Sequence, residues 1–181
     1  FLKIPIGARE ISMGNTYTPF SPGVSSLYWN PAGLSKITRD EVMALHTVLW
    51  GGTVYDFISY VHPTGSGGTF GFSGTRLFLG GFEGRDAQNR VTHKFEDIQS
   101  AYGISYGQKV MGALSIGANI KKMSHTLDDH KSRSYILDVG TMYSPIDNLN
   151  IGLNMQNLLA VTSGTKDTLP IVIRLGGSYK I

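Results

Sequence analysis

The sequence contains no cysteine. This absence excludes a disulfide scaffold, a cysteine-ligated metal and a thiol nucleophile, although it leaves the cellular compartment open. Charged residues are also scarce, at 16% of the chain, whereas typical soluble domains contain about 25%. The net charge of +3 is spread along the chain without a basic run, so nucleic acid is not predicted as a partner.

Long apolar runs are absent too. No segment approaches the roughly 18 consecutive apolar residues that indicate a membrane-spanning helix. A membrane protein is still compatible with this pattern, because the strands of a membrane barrel alternate between polar and apolar residues and escape hydropathy windows. The sequence begins at Phe1 without an initiating methionine or a signal peptide, and we expect a mature product whose leader has been removed.

Glycine and tyrosine, in contrast, are abundant. The 181 residues, enough for one domain, include 23 glycines and 9 tyrosines. A composition rich in glycine and tyrosine and poor in charge is typical of all-β proteins. It suits an antiparallel transmembrane β-barrel, although a soluble β-sandwich shows the same bias.

Residues 1–38 are predicted to form an irregular N-terminal plug. Three prolines, Pro19, Pro22 and Pro31, each remove a backbone donor and exclude a long helix. The run from Asn30 to Leu34 indicates a helix cap, a proline at the first helical position and one short turn. We therefore divide the chain into a plug at residues 1–38 and the strands and loops of a barrel at residues 39–181.

Residues 39–181 are predicted to form about eight strands of roughly ten residues, the length that a tilted strand needs to cross a bilayer. The predicted strands are residues 39–50, 53–62, 69–79, 100–110, 113–124, 135–144, 149–158 and 169–181. Outer-membrane barrels have short periplasmic turns and long outer loops. We expect long polar loops at residues 80–99, 125–134 and 160–168, the Gly51-Gly52 hairpin at the same end, and turns 63–68, 111–112 and 145–148 at the other end.

Four consecutive strands in the second half alternate cleanly between an apolar face and a face of small and polar residues. We expect the apolar face to point outward and the polar face inward. The polar residues predicted to face the interior are Asn119, Lys121, Asp138, Asn154 and Arg174. The small inward positions are Gly103, Ser105, Gly107, Gly117, Gly140, Gly152 and Gly176. A soluble sandwich with one wet face, acting as a binding module, is the alternative that this pattern leaves open.

No catalytic site is predicted. His125 and His130 share a predicted solvated loop, and none of the five histidines has metal-ligand spacing on a helix. The serines lack the context of a nucleophile elbow, and the glycine-rich residues 65–68 are not followed by a helix that would complete a phosphate cradle. We predict no enzymatic activity, no cofactor and no bound metal.

The N-terminal part of the chain carries a series of short motifs: Gly7-Ala8-Arg9, Met13-Gly14, and Leu27-Tyr28-Trp29-Asn30-Pro31-Ala32-Gly33-Leu34. The series resembles the amino-terminal signature of the PorV-like (PorV/PorQ) outer-membrane proteins, within the FadL-like group of fatty-acid and hydrocarbon transporters. Residues 116–121, 137–140 and 169–179 resemble the same pattern, so the resemblance covers nearly the whole chain. It implies a hatch inside the barrel that contains Arg9, Met13, Gly14, Tyr28, Trp29, Asn30, Pro31 and Gly33.

The resemblance also implies a location in the bacterial outer membrane and a role in one of two processes. These are the transport of hydrophobic molecules and type IX-like protein secretion with surface attachment. The implied partners are outer-membrane lipid, a hydrophobic small molecule, and secretion-system or surface proteins. Within the plug, Tyr28 and Trp29 are predicted to anchor it to the barrel wall or to act as a gate, and Arg9 is a hypothetical ion-pair partner of Asp138.

The number of predicted strands leaves the assembly open. FadL-like barrels have more strands than this chain supplies, and an eight-stranded barrel is filled by its own side chains, which leaves little room for a plug. We expect either a piece of a larger barrel or a complete small barrel. The alternative is a structural or assembly protein whose exposed edge strands, at residues 39–50 and 169–181, pair between chains to form a multi-chain barrel or filament.

Overall fold

The computed structural model describes residues 1–16, 18–19, 23–65, 67–164 and 169–180. The N-terminal segment, residues 1–38, contains three short elements: helix α1 at Ala8–Ser12, helix α2 at Ser26–Trp29 and a 3-10 helix at Pro31–Lys36. The strands that follow are β1 (Glu41–Val48), β2 (Val54–Pro63), β3 (Gly68–Arg85), β4 (Val91–Met111), β5 (Leu114–Leu127), β6 (His130–Ile146), β7 (Leu149–Ser163) and β8 (Val172–Tyr179). A 3-10 turn at Trp50–Gly52 joins the first two strands.

The eight strands form one antiparallel sheet in chain order. Among the described residues, β1 pairs only with β2 and β8 pairs only with β7, so the sheet is open. The predicted all-β fold with about eight antiparallel strands is therefore confirmed. Closure of these strands into a barrel stays a prediction.

The predicted long polar loops at residues 80–99 and 125–134 are wrong, because both stretches are mostly strand. The β3–β4 hairpin turns only at residues 86–90, and the β5–β6 hairpin turns at residues 128–129. In the third predicted loop, β7 continues to Ser163, and residues 165–168 lie outside the described part of the chain. Polar residues on both faces hide the alternating pattern in these stretches. Backbone pairing and cross-strand contacts, such as the stacked rings of Phe82 and Phe95, nevertheless keep the stretches extended as strands.

The ends of the sheet follow the prediction. Val54 lies opposite both Val48 and Phe78, so the Gly51-Gly52 turn is at the same end of the sheet as the 86–90 turn. The turn between β2 and β3 lies at the opposite end. We call the first of these the long-hairpin end.

The two faces of the sheet have opposite character. Across β4–β8, the face beneath the N-terminal segment carries mainly buried small and polar side chains, among them Ser105, Asn119, Asp138 and Asn154. The open face carries exposed apolar side chains, among them Ile104 (58% exposed), Ile120 (62%), Leu159 (63%) and Leu175 (76%). This arrangement is the reverse of a soluble sheet, whose apolar face is normally the buried one.

Two apolar clusters join the N-terminal segment to the first strands of the sheet. Ile6 and Trp29 pack with Tyr55, Phe57 and Leu77 in the first cluster. The second cluster consists of Leu27, Leu34, Ile37 and Val61. Within the described ranges, no helix is long and apolar enough to cross a membrane. The N-terminal segment is thus docked on the sheet by an apolar core at β2 and β3 and by glycine and polar contacts at β4–β8.

Candidate functional site: the N-terminal segment against the sheet

A track of glycines on the sheet receives the N-terminal segment around Pro31 and at Thr18 and Pro19. The glycine track runs across five strands and consists of Gly107, Gly117, Gly140, Gly152 and Gly176, with direct pairing from Gly107 to Gly117 to Gly140 and from Gly152 to Gly176. A Cβ atom built on Gly107 or Gly117 would overlap main-chain atoms of Pro31, and one on Gly140 would overlap the side chain of Asn30. Only glycine permits so close an approach of another backbone.

Asn30 holds the segment in this track. Its side-chain oxygen accepts a hydrogen bond from the Ala32 amide at 3.1 Å and caps the 3-10 helix, in which Pro31 is the first residue. Its side-chain amide donates to the carbonyls of Thr18 at 3.2 Å and Thr141 at 3.1 Å. Asn30 is fully buried. The predicted cap is confirmed, and the same side chain also ties the segment to β6.

Three side-chain amides of the sheet cap the C-terminal end of α2. Asn119 of β5 donates to the Leu27 carbonyl at 3.3 Å. Gln156 of β7 donates to the Tyr28 carbonyl, and Asn154 donates to the Trp29 carbonyl, each at 2.7 Å. The last carbonyls of a helix have no partner within it, so these amides satisfy groups that would otherwise be buried without a donor.

We expect Asn154→Ala to lower the free energy of unfolding by about 1–3 kcal/mol, because it leaves the buried Trp29 carbonyl without a donor. Chemical unfolding followed by circular dichroism measures the loss. Asn148→Ala is the matched control, since Asn148 is exposed in the turn before β7. Equal losses in the two variants would contradict the capping role of Asn154.

A buried ion pair lies next to the amides. Lys121 Nζ is 2.6 Å from Asp138 Oδ2, and the two side chains are 13% and 4% exposed. Asp138 Oδ1 also accepts a hydrogen bond from the main-chain N–H of Asn157 at 2.9 Å. Asn157 has a φ of 56° where the pairing of β6 and β7 shifts register. Asp138 therefore holds an irregular point of β7 in place, and removing either partner would leave the other charge buried and unpaired.

Arg174 of β8 contacts the aromatic residues of the segment. Its guanidinium donates to Gln156 Oε1 and lies 5.6 Å from the ring of Trp29 and 5.9 Å from the ring of Tyr28, within the range of cation–π attraction. Burial raises the pKa of the Tyr28 hydroxyl, and the nearby Arg174 charge partly offsets the shift. The pair of aromatic residues is thus fixed from the β8 side as well as from the core.

The cavities between the segment and the sheet differ in size. A cavity of about 30 Å³ beside Tyr28, Asn119 and Lys121 has the size of one water molecule. A larger cavity of about 320 Å³ lies toward the long-hairpin end and is lined by both apolar and polar residues, including Leu2 and Met123.

The structure brings most of the predicted site residues together. Those in the interface are Tyr28, Trp29, Asn30, Pro31, Gly33, Asn119, Lys121, Asp138, Asn154 and Arg174. Arg9, Met13 and Gly14 lie outside it on the exposed side of the segment. The hypothetical ion pair of Arg9 with Asp138 is not formed, because Asp138 is buried and pairs with Lys121.

Gln156 and Asn157 belong to the interface but are not among the predicted site residues. Gln156 stands two residues after Asn154 on the same strand face, so the period of two could have identified it. Asn157 carries no such signal, because its place in the site depends on the register shift of β7.

The fold and the interface define a class of protein: an all-β protein with one antiparallel sheet, whose N-terminal segment packs across a sheet face lined by glycines and side-chain amides. The chain belongs to UPF0164, an uncharacterised protein family, whose sequence model matches residues 1–135. The match covers the N-terminal segment, β1–β5 and the start of β6.

Two relatives are UPF0164 proteins of Treponema pallidum (strain Nichols). The first is 29% identical over 169 residues, which cover 85% of this chain and 42% of the relative. The second is 27% identical over 169 residues, which cover 85% of this chain and 51% of the relative. The chain thus spans about half the length of the curated relatives that it matches.

Proposed function

We propose that this chain is part of an outer-membrane β-barrel, of the PorV/FadL-like type that the sequence resembles, and that its N-terminal segment closes the interior. The observation that carries the proposal is the reversed polarity of the sheet across β4–β8, where the open face is apolar and the face beneath the segment is mainly small or polar. Strands of membrane barrels alternate in this sense, with the apolar side toward lipid. An apolar surface of this extent is unusual on a monomer in water.

A continuous row of polar side chains on the open face supports a membrane boundary. This polar row consists of directly paired residues in seven strands: His46, Asp56, Arg76, Ser100, Ser124, Arg133 and Ser163. Two side-chain rows away lies an apolar row of paired residues: Tyr60, Phe72, Ile104, Ile120, Leu137 and Leu159. Between the two rows the open face changes from polar to apolar at the same height in β2–β7.

The length of the strands below the polar row supports the same interpretation. Residues 134–143 of β6 follow Arg133, and a tilted strand needs about 9–11 residues to cross a bilayer. The outward side chains in this stretch begin with Tyr135 and end with Tyr143, both exposed. Aromatic residues at both ends of an apolar stretch are typical of membrane barrels.

The open edges fit a sheet that is completed by further strands. Since β1 and β8 each pair on one side only and the curated relatives are about twice as long, we propose that strands outside this sequence close the barrel. The same edges favour a second candidate, an assembly protein whose strands pair between chains. A monomeric mass of the full-length protein in detergent would exclude the second candidate.

For the cargo we propose small hydrophobic molecules, which would pass when the N-terminal segment moves away from the sheet. The cavity of about 320 Å³ toward the long-hairpin end supports this proposal as a point of entry. Protein secretion or surface attachment is the alternative. It is favoured by the long β3–β4 hairpin, which extends beyond the polar row to Arg85 and Val91.

A disulfide lock tests the movement of the segment. Ser35 Oγ and Ser115 Oγ are 2.8 Å apart, one on the 3-10 helix and one on β5, so a Ser35→Cys/Ser115→Cys pair is placed to form a disulfide. We expect oxidation to abolish uptake of a fluorescent long-chain fatty acid into proteoliposomes of the full-length protein, and reduction to restore it. Each single variant is a control, because it has one introduced cysteine without the designed partner across the interface. Uptake that persists in the oxidised pair would contradict the proposal.

A further inference from the structure

Three cations on the open face lie at nearly the same position along the strand direction, on three different strands. Arg76 on β3, Lys122 on β5 and Arg133 on β6 are all exposed. Among the described residues, none of the three has a carboxylate within 4.0 Å, and the ion pairs present involve other side chains. The Arg76 guanidinium lies 5.4 Å from the centre of the Phe78 ring. These charges are available to an external anion.

The register places the three cations at the boundary of the apolar surface. Arg76 and Arg133 belong to the polar row, and Lys122 lies one step nearer to the apolar row, between Tyr102 and Tyr135. The polar row contains one carboxylate, Asp56, and that carboxylate is 2.6 Å from His46 Nδ1. The boundary therefore carries a net positive charge directly above an apolar surface.

A shallow groove in the apolar surface ends at Arg76. One row of paired residues across β1–β4 consists of Ala44, Ile58, Gly74 and Tyr102. Because Ala44 and Gly74 are small, the surface is recessed at these positions beside the larger side chains of Ile58 and Tyr102. The groove is lined by these residues, and its polar end is lined by Arg76 together with Asp56 and His46, which are hydrogen-bonded to each other. An extended apolar chain can lie in the groove with an anionic group beside the guanidinium.

We propose that this boundary binds the phosphate group of an anionic phospholipid, with one acyl chain in the groove at Gly74 and with Arg76, Lys122 and Arg133 as the phosphate-binding cations. The inference rests on the proposed membrane location and adds to it a preference for headgroup charge. A guanidinium offers paired donors that match phosphate oxygens, and basic residues at a membrane surface attract anionic lipid. Phosphate joined to an acyl chain is the chemistry that satisfies both the cations and the groove.

The test compares two triple variants of the full-length protein with the same change in charge. Arg76→Ser/Lys122→Ser/Arg133→Ser removes the proposed site, and Lys94→Ser/Lys109→Ser/Lys180→Ser removes three exposed cations elsewhere. Native mass spectrometry from detergent with equimolar phosphatidylglycerol and phosphatidylcholine measures which lipid each protein retains. We expect the site variant to lose about tenfold or more of its preference for phosphatidylglycerol and the control variant to keep it.

The outcomes separate this inference from the membrane proposal on which it rests. Equal retention of the two lipids by the unmodified protein would overturn the headgroup preference and leave the membrane location standing. Retention of neither lipid would contradict the membrane location itself. Displacement of phosphatidylglycerol by inorganic phosphate alone would also overturn the inference, because it would mean that the groove contributes nothing. Equal melting temperatures of the two variants show that both are folded.

Discussion

A methyl group added at Gly117 is expected to release the N-terminal segment from the sheet. In Gly117→Ala the new Cβ atom would lie 2.5 Å from the Ala32 amide nitrogen and closer still to the carbonyl of Pro31. These are main-chain atoms, so no rotamer change can relieve the overlap. Overpacking typically costs about 1–3 kcal/mol, and we expect this substitution to reach the upper end of that range or exceed it. Hydrogen exchange of the amides at residues 26–37 measures the release.

Gly177→Ala is the matched control for this experiment. Gly177 is the neighbour of Gly176 but faces the other side of the sheet, where the nearest atom to an added Cβ is the Asn150 carbonyl oxygen at 3.9 Å. We expect its protection pattern to equal that of the unmodified protein. If the amides of the segment stayed protected from hydrogen exchange in Gly117→Ala as well, close packing on the glycine track would not be what holds the segment on the sheet.

Ile120→Arg is expected to destabilise the protein in lipid far more than in water. Ile120 lies in the apolar row, four residues from Ser124 in the polar row, which is about 10 Å below the boundary for a tilted strand. An arginine on the lipid face near the middle of a bilayer costs about 2–4 kcal/mol, whereas surface substitutions in water usually stay within about 0.5 kcal/mol. Denaturant unfolding from lipid vesicles measures the difference.

Ser124→Arg serves as the control, because it adds the same side chain to the same strand and face within the polar row. We expect it to lower the free energy of unfolding from vesicles by no more than about 1 kcal/mol, the cost of a like charge directly opposite Arg133. A loss for Ile120→Arg no greater than that for Ser124→Arg would mean that the open face meets water, and it would favour the soluble or assembly alternatives over the membrane barrel.

The plug residues illustrate how far short-range signals reach. The Asn30-Pro31 cap was predictable because a cap and the helix that it starts are adjacent in the chain. The same signals did not distinguish Arg9, Met13 and Gly14, which are exposed, from the residues that contact the sheet. Their position depends on how the segment folds back over the sheet, and no local pattern encodes that.

The inward polar residues show the complementary limit. The alternation of polar and apolar residues predicted that Asn119, Asp138 and Asn154 share one face. It did not reveal that the side-chain amides of Asn119 and Asn154 would cap α2. Nor did it pair Asp138 with Lys121, although both positions were identified. Such pairings depend on the alignment of strands that are far apart in sequence, and a shift of one residue would have dispersed them.

The sequence by itself determined the number of strands, their antiparallel order, the polarity of the two faces and the cap at Asn30. Each of these depends on residues that are close in the chain, through a period of two or through a helix-start motif. The tertiary structure decided the long β3–β4 hairpin, the glycine track, the amide caps and the polar row. Each of these depends on register, because glycines or polar residues form a track or a row only when separate strands align them at one height.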